Sequence, residues 1–233
     1  MIDMIHGNCM DYMAGLPDKA FDLAIVDPPY GIGVNGINPI QNKSGDRNHT
    51  FDHSKQWDID IPSRAYFDIL RRKSINQIIW GGNYFLDILG YCKAPIIWDK
   101  LNGDSMFADG EFAWTSKLLP RNLAIFRHKW CGAFKDSERG IDKIHPTQKP
   151  VALYKWLLSK YAKPGDRILD THGGSGSICI ACHDMGFDLT WIELDADYYN
   201  SACDRYQTHI AQAQLFAPDE IQTMHYKQNE LIQ

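Results

Sequence analysis

Hydrophobic positions along the chain gather into short runs, each closed by a turn signal, with stretches of helical spacing between them. Phe21-Asp22-Leu23-Ala24-Ile25-Val26 is almost unbroken, the pattern of a strand buried in a parallel sheet. Asp27-Pro28-Pro29-Tyr30 ends it abruptly, because neither proline can donate to a ladder. Met1–His6 alternates weakly and predicts a short strand stopping at Gly7-Asn8. Further strands are predicted at Gln77–Trp80 before Gly81-Gly82, Pro95–Trp98 before Asp99, Asn122–His128, Arg167–Asp170, and Leu189–Ile192 before Glu193.

Helices are expected over Cys9–Leu16, from Pro62 to about Lys73 with Tyr66, Phe67, Ile69 and Leu70 inward, and over Pro150–Tyr161 with Leu153, Trp156, Leu157 and Tyr161 on one face. Two more run from Ser177 to about Met185 and over Asp197–Gln212. Gly103–Ser116 is ambiguous, although Glu111-Phe112-Ala113-Trp114 looks partly buried. Strands alternating with helices, with neither repeat nor linker, predict one doubly wound α/β domain over residues 1–233. Asn122–His128 is expected to run antiparallel to its predecessor. Residues 31–62 lack a sustained period, and an irregular stretch of that length is usually functional; residues 129–145, polar, basic and aromatic by turns, look like a loop. Arg47, His49, Lys55 and Trp57 in the first could meet a nucleic acid, and the last 20 or so residues look like a Gln-rich tail.

Composition changes this picture little. Hydrophobic residues make up 44% of the 233 and charged residues 23%, ordinary for a globular protein. No apolar run approaches the ~20 residues that span a bilayer, and no basic-then-apolar leader opens the chain, so no membrane partner and a cytoplasmic location are expected. Six scattered cysteines include Cys179-x-x-Cys182-His183. That spacing formally fits haem attachment or half a zinc site, but a second ligand pair is missing. Adjacent turns of a buried helix explain it better, with reduced thiols and no metal. Charge is more informative. The formal net is −5, yet residues 117–149 carry eight Lys/Arg against three acids, a local +5. A basic face on an acidic body can bind phosphate locally.

Two constellations carry chemistry. At the end of the Phe21–Val26 strand stand a carboxylate (Asp27), the carbonyl of Pro28 held in a fixed direction, Pro29, and the aromatic face of Tyr30. The first two could each accept one N–H of an exocyclic amine on a planar base, while Tyr30 stacks on the ring. The second is Asp170-x-x-Gly173-Gly174-Ser175-Gly176 between a strand and a helix, where glycines admit a ligand close to the backbone. Glu193, at the end of the next strand, is placed to hold a ribose diol. A dinucleotide site wants a third glycine where Cys179 stands, and Asp170 would repel a pyrophosphate. A cofactor with a cationic amino-acid end is favoured, S-adenosylmethionine over NAD, although a nicotinamide-dependent oxidoreductase stays open as a rival.

With both constellations placed, the chain resembles the DNA amino-methyltransferases (adenine-N6 and cytosine-N4), in the group whose Asp-Pro-Pro-Tyr precedes the cofactor glycine loop. It is most similar to short phage-type adenine methylases. His145-Pro146-Thr147-Gln148-Lys149-Pro150, Leu169-Asp170-Thr171-His172-Gly173-Gly174-Ser175-Gly176-Ser177 and Ile192-Glu193-Leu194-Asp195 through Tyr198 match the family's motifs in order, across roughly residues 5–215. The resemblance implies a Rossmann-like methyltransferase fold with a seven-stranded, mostly parallel sheet and one antiparallel strand. It assigns Asp27, Pro28, Pro29 and Tyr30 to a flipped target base. Asp170, Gly174, Gly176 and Glu193 fall to S-adenosylmethionine, with Asp27 bordering it and Thr147 and Lys149 as supports. Two positions depart from the family pattern: His172 replaces an aromatic that packs on the cofactor's methionine end, and Asn8 replaces an acid, its amide oxygen still able to accept from the cofactor's adenine amine.

The function implied is site-specific methylation of adenine N6 in double-stranded DNA, in a bacterial or phage-infected cytoplasm and in a restriction-modification setting. Segments 31–62 and 127–145 would serve as recognition loops. Family members are often dimers, which makes a homodimer an expectation. Cytosine-N4 methylation, an RNA or protein-glutamine substrate (where Asn typically leads the proline pair) and a non-catalytic DNA-binding relative are the alternatives.

Overall fold

The computed structural model describes residues 1–33, 58–103, 108–116, 122–131, 134–141 and 143–213. Arg47, His49, Lys55, Trp57, Lys117, Arg121 and the Gln-rich tail lie outside them, as does most of segment 31–62.

The elements in chain order are β1 (Ile2–His6), α1 (Cys9–Ala14), β2 (Phe21–Val26), α2 (Arg64–Lys73), β3 (Ser74–Trp80), a 3-10 turn (Gly82–Tyr84), α3 (Leu86–Leu89), β4 (Ile96–Asp99), β5 (Gly110–Thr115) and β6 (Ala124–Arg127). A two-stranded ribbon follows, β7 (Trp130–Cys131) with β8 (Phe134–Lys135), then α4 (Val151–Tyr161), β9 (Arg167–Asp170), α5 (Ser177–Met185), β10 (Asp188–Glu193) and α6 (Ala196–Ala213). Eight strands form one sheet in the order β1-β10-β9-β2-β3-β5-β4-β6. All pairings are parallel except those of β5, which runs antiparallel to both β3 and β4.

The strand period of two explains why both faces are covered. Leu23 and Ile25 of β2, Ile78 and Trp80 of β3, and Leu189 and Trp191 of β10 point into one core with Leu153, Leu157 and Ile178. Their neighbours Ala24, Val26, Ile79 and Ile192 point into the other, with Met13, Phe67 and Leu70. A strand buried on both sides has no polar face to show, hence the unbroken runs in the sequence. Helix α2 ends where Ser74 Oγ bonds the Leu70 carbonyl at 2.7 Å and the chain turns directly into β3.

The doubly wound, mostly parallel class holds. The strand count does not: the sheet has eight strands among the described residues, because the ambiguous stretch supplies β5. β5 is also the antiparallel strand. The segment expected in that role, β6, lies parallel beside β4 and is not hydrogen-bonded to β5. Helix α4 buries Leu153, Tyr154, Leu157 and Leu158. Trp156 and Tyr161 are only half-buried, with Trp156 against Phe126 of the edge strand β6 (ring centroids 5.3 Å apart). Cys179 and Cys182 occupy successive turns of α5, both buried.

Parallel strands place their carboxyl ends together. Those of β1, β10, β9 and β2 therefore present Asn8, Glu193, Asp170 and Asp27 at one edge of the sheet. Strand order reverses between β9 and β2, the position at which open α/β sheets leave a crevice.

Candidate active site

A cavity of about 540 Å³ opens at that crevice, a volume within the range of small-molecule sites. Asn8, Asp27, Pro29, Thr147, Lys149, His172, Gly174 and Glu193 line it. Of the other expected site residues, Asp170 is buried behind the lining, 2% exposed. Gly176 begins α5 with a left-handed φ of 67°. Pro28 is buried and Tyr30 half-buried, both beside Asp27 rather than in the lining.

Both oxygens of Asp27 are held. The Tyr30 hydroxyl donates to Oδ1 at 2.5 Å, and the Lys149 ammonium donates to Oδ2 at 2.5 Å. Each oxygen keeps a further lone pair for a ligand. Burial pushes the Asp27 carboxyl above its ordinary value, against the pull of Lys149. Lys149 is 3% exposed and lies between two carboxylates, with Glu111 3.0 Å away on its other side. Burial alone would strip its proton; Asp27 and Glu111 outweigh that and hold it charged. Glu111 in turn meets Lys100 at 2.6 Å. Burial there is outweighed by Lys149 and Lys100, which bring the Glu111 carboxyl down to about 2.

Tyr30 is fixed on every side. Its backbone N–H, and that of Gly31, donate to Asp58 Oδ1 at 2.6 and 3.1 Å. Its ring stacks on Tyr84, with centroids 5.1 Å apart and planes 17° off parallel. Gly81 lies under the ring, where a Cβ would come within 2.1 Å of it.

Across the cavity, Glu193 braces the glycine loop. Its Oε2 accepts from Gly174 N at 2.7 Å and its Oε1 from Asp195 N at 2.8 Å. Gly173 has no room for a side chain, since a Cβ would lie 1.9 Å from the Trp191 indole. Asp170 accepts from His172 N at 3.1 Å, and burial pushes its carboxyl up to about 8. Burial also lowers the His172 imidazole to about 4, so it is neutral, edge-on to Tyr66 and 3.0 Å from Thr171 Oγ1. Thr147 Oγ1 lies 3.1 Å from His145 Nδ1, and the His145 ring packs edge-on against Tyr198. Asn8 caps α1, its Oδ1 accepting from Met10 N at 2.8 Å, which leaves one lone pair on that oxygen for the cavity.

Asp27, Glu193 and Asp195 give the lining an acidic character while Lys149 is engaged by two carboxylates. Such a wall disfavours a pyrophosphate and suits a ligand with hydroxyls and a cationic end. Glu111, Lys100, Asp58 and Tyr84 were not singled out from the sequence. Glu111 had left a signal, an acid directly before the apolar Phe112-Ala113-Trp114. The other three carry none.

A family model for DNA methylases matches residues 119–204. The chain is 25% identical to "Putative methylase YubD" of Escherichia coli (strain K12) over 224 residues, 88% of this chain and 90% of that one. It is 26% identical to the type II methyltransferase M.HinfI of Haemophilus influenzae over 244 aligned positions, 85% of this chain and 66% of that longer protein. Among solved structures, the M1.HpyAVI–SAM complex superposes with a TM-score of 0.57 at 22% identity, over 88% of this chain and 100% of that one. The cytosine-N4-specific PvuII DNA methyltransferase superposes with a TM-score of 0.55 at 13% identity, over 88% and 86%. These likenesses show a Rossmann-like methyltransferase fold.

Proposed function

We propose that the chain is a member of the N6/N4 DNA methylase family and that it transfers a methyl group from S-adenosylmethionine to the N6 amine of an adenine turned out of duplex DNA, a reading supported by the match to the DNA methylase model and by the methylase relatives. One observation carries the reading: the Asp27 carboxylate and the Glu193-braced glycine loop open into the same cavity.

The residues present fit this cofactor. The second lone pairs of Glu193 suit the ribose hydroxyls, the bare backbone at Gly173-Gly174 admits close approach, and Asp170 suits a cationic ammonium. Burial pushes the Asp170 carboxyl up to about 8; a further ammonium beside it would restore its charge. When bound, S-adenosylmethionine supplies an electrophilic methyl on sulfur.

The protein's own contribution falls to Asp27 and its neighbours. An adenine amine is a poor nucleophile because its lone pair is delocalised into the ring. Accepting its two N–H bonds at the Asp27 carboxylate and the Pro28 carbonyl draws the nitrogen towards sp³ and aims the lone pair, so that positioning and electrostatics supply the acceleration. The nitrogen then releases a proton, and Asp27 is the nearest acceptor; burial already favours its protonated form. The base must leave the helix to reach this pocket. A leading Asp in place of Ser favours adenine over cytosine in this family.

Incubating the enzyme with methyl-labelled S-adenosylmethionine and unmethylated genomic DNA, then separating the nucleosides, tests the reading. Label is expected in N6-methyladenine. Label in N4-methylcytosine would overturn the base assignment, and no label in DNA would overturn the function.

A further inference from the structure

We propose that Glu111 is a positioning residue for methyl transfer, which pins Lys149 against Asp27 from the antiparallel strand β5. The proposal rests on the reading of Asp27 as the acceptor of the target amine.

Lys100, Glu111, Lys149 and Asp27 form a row of alternating sign, with successive N–O separations of 2.6, 3.0 and 2.5 Å. Its members come from four places: after β4, from β5, before α4 and after β2. The row is neutral overall and ends at the cavity. Aromatic walls border it, with Lys100 5.0 Å over the Trp98 ring and Lys149 5.5 Å over Trp80. The Lys149 side chain is 2% exposed and that of Glu111 22%, so solvent screens the pair weakly.

A lysine ammonium is a point charge on a flexible four-carbon stem. Facing Asp27 alone, it could satisfy either carboxylate oxygen or sit between them. Held by Glu111 from behind, it has one position, on Oδ2. Tyr30 then takes Oδ1, and the plane of the carboxylate is set. What Glu111 supplies is therefore orientation of the remaining lone pairs, together with a charge that keeps Lys149 protonated. The other ionisable groups facing this row are Tyr30, Tyr154 of α4 and Asp170 at the end of β9. A merely structural role gives a different expectation, since a buried charge row is often replaceable without loss of stability.

The test is Glu111→Gln, which removes the charge and keeps the shape. Single-turnover transfer to DNA is expected to slow by about 10²-fold, the scale of a 1 Å misplacement, with the S-adenosylmethionine dissociation constant within about threefold of the parent's. Loss of the negative charge makes Asp27 ionise, and Lys149 deprotonate, more easily, so both limbs of the rate–pH profile move to lower pH. In a Lys149→Met background the same substitution is expected to cost nothing further, because the two act as one unit. Lys100→Met removes the opposite charge and should move both limbs up, an independent readout should Glu111→Gln not fold. An unshifted profile at the parental rate, equal slowing with and without Lys149→Met, or no shift in Lys100→Met would overturn the proposal. Absence of transfer by the unsubstituted enzyme would refute the function itself and the proposal with it; parental transfer without a Glu111 effect refutes the proposal alone.

Discussion

Asp27 is under opposing demands. Burial pushes its carboxyl up, towards the neutral form, while the Lys149 ammonium at 2.5 Å pulls it back. Replacing Lys149 by Met removes the opposing pull. Asp27 then keeps its proton to higher pH, and the acid limb of the rate–pH profile is expected to move upward, with activity partly recovered at alkaline pH. Breaking a buried pair on one side also costs stability, about 3–5 kcal/mol, which a denaturant titration measures. Asp170 has a second pH signature. Its folded-state value of about 8 lies above the ordinary 3.8. The folded chain without cofactor therefore holds a proton that the unfolded chain releases, and stability falls as pH rises from about 4 to about 8. Asp170→Asn abolishes that loss. Thermal melting without cofactor should show a higher Tm than the parent at pH 8 and a smaller gain at pH 5, at roughly 2–4 °C per kcal/mol for a chain of this size. Binding of S-adenosylmethionine should weaken in the same variant.

At the scale of elements, two glycines fix how closely loops approach the strands. Gly81, at a φ of 66°, lies under the Tyr30 ring, and a Cβ at Gly173 would enter the Trp191 indole. Gly81→Ala is expected to displace Tyr30 from Asp27 and lower turnover more than cofactor affinity. Gly173→Ala should do the reverse, shifting the glycine loop and weakening the cofactor first. Overpacking of this kind costs about 1–3 kcal/mol, and parallel measurements of turnover and cofactor binding separate the two. Most parallel strands were legible because their two-sided burial writes itself as near-continuous apolar runs, as in Phe21–Val26. β5 was hidden because its apolar part is short and begins with Glu111, a charge whose partner Lys149 lies far along the chain. The placement of β6 was misread because strand direction in a sheet is set by crossover geometry, not by any residue in Ala124–Arg127. The site's acids were legible as strand-end carboxylates. Their partners were not: Asp58 reaches Tyr30 from 28 residues further along the chain, and no local spacing encodes that approach.

At the scale of the whole molecule, charge is divided. The chain carries −5 overall, yet residues 117–149 are at +5. Of that basic segment, Lys135 and Lys143 lie 4.9 and 5.8 Å over the Trp130 ring, and Trp130 Nε1 donates to the Gln148 carbonyl, one residue before Lys149. The basic segment is thus joined directly to the Asp27 pair. DNA affinity should fall steeply with salt, and Arg127→Ala with Arg139→Ala should flatten the log K against log salt slope by about 1.8, at roughly 0.9 for each phosphate left without its arginine. The most direct test of the account compares Asp27→Ala with its parent in single-turnover methyl transfer from S-adenosylmethionine to duplex DNA, alongside equilibrium binding of the cofactor. Transfer is expected to fall by at least about 10²–10³-fold while the cofactor dissociation constant stays within about threefold. Near-parental transfer by Asp27→Ala would contradict the account, because the amine would then be activated somewhere else.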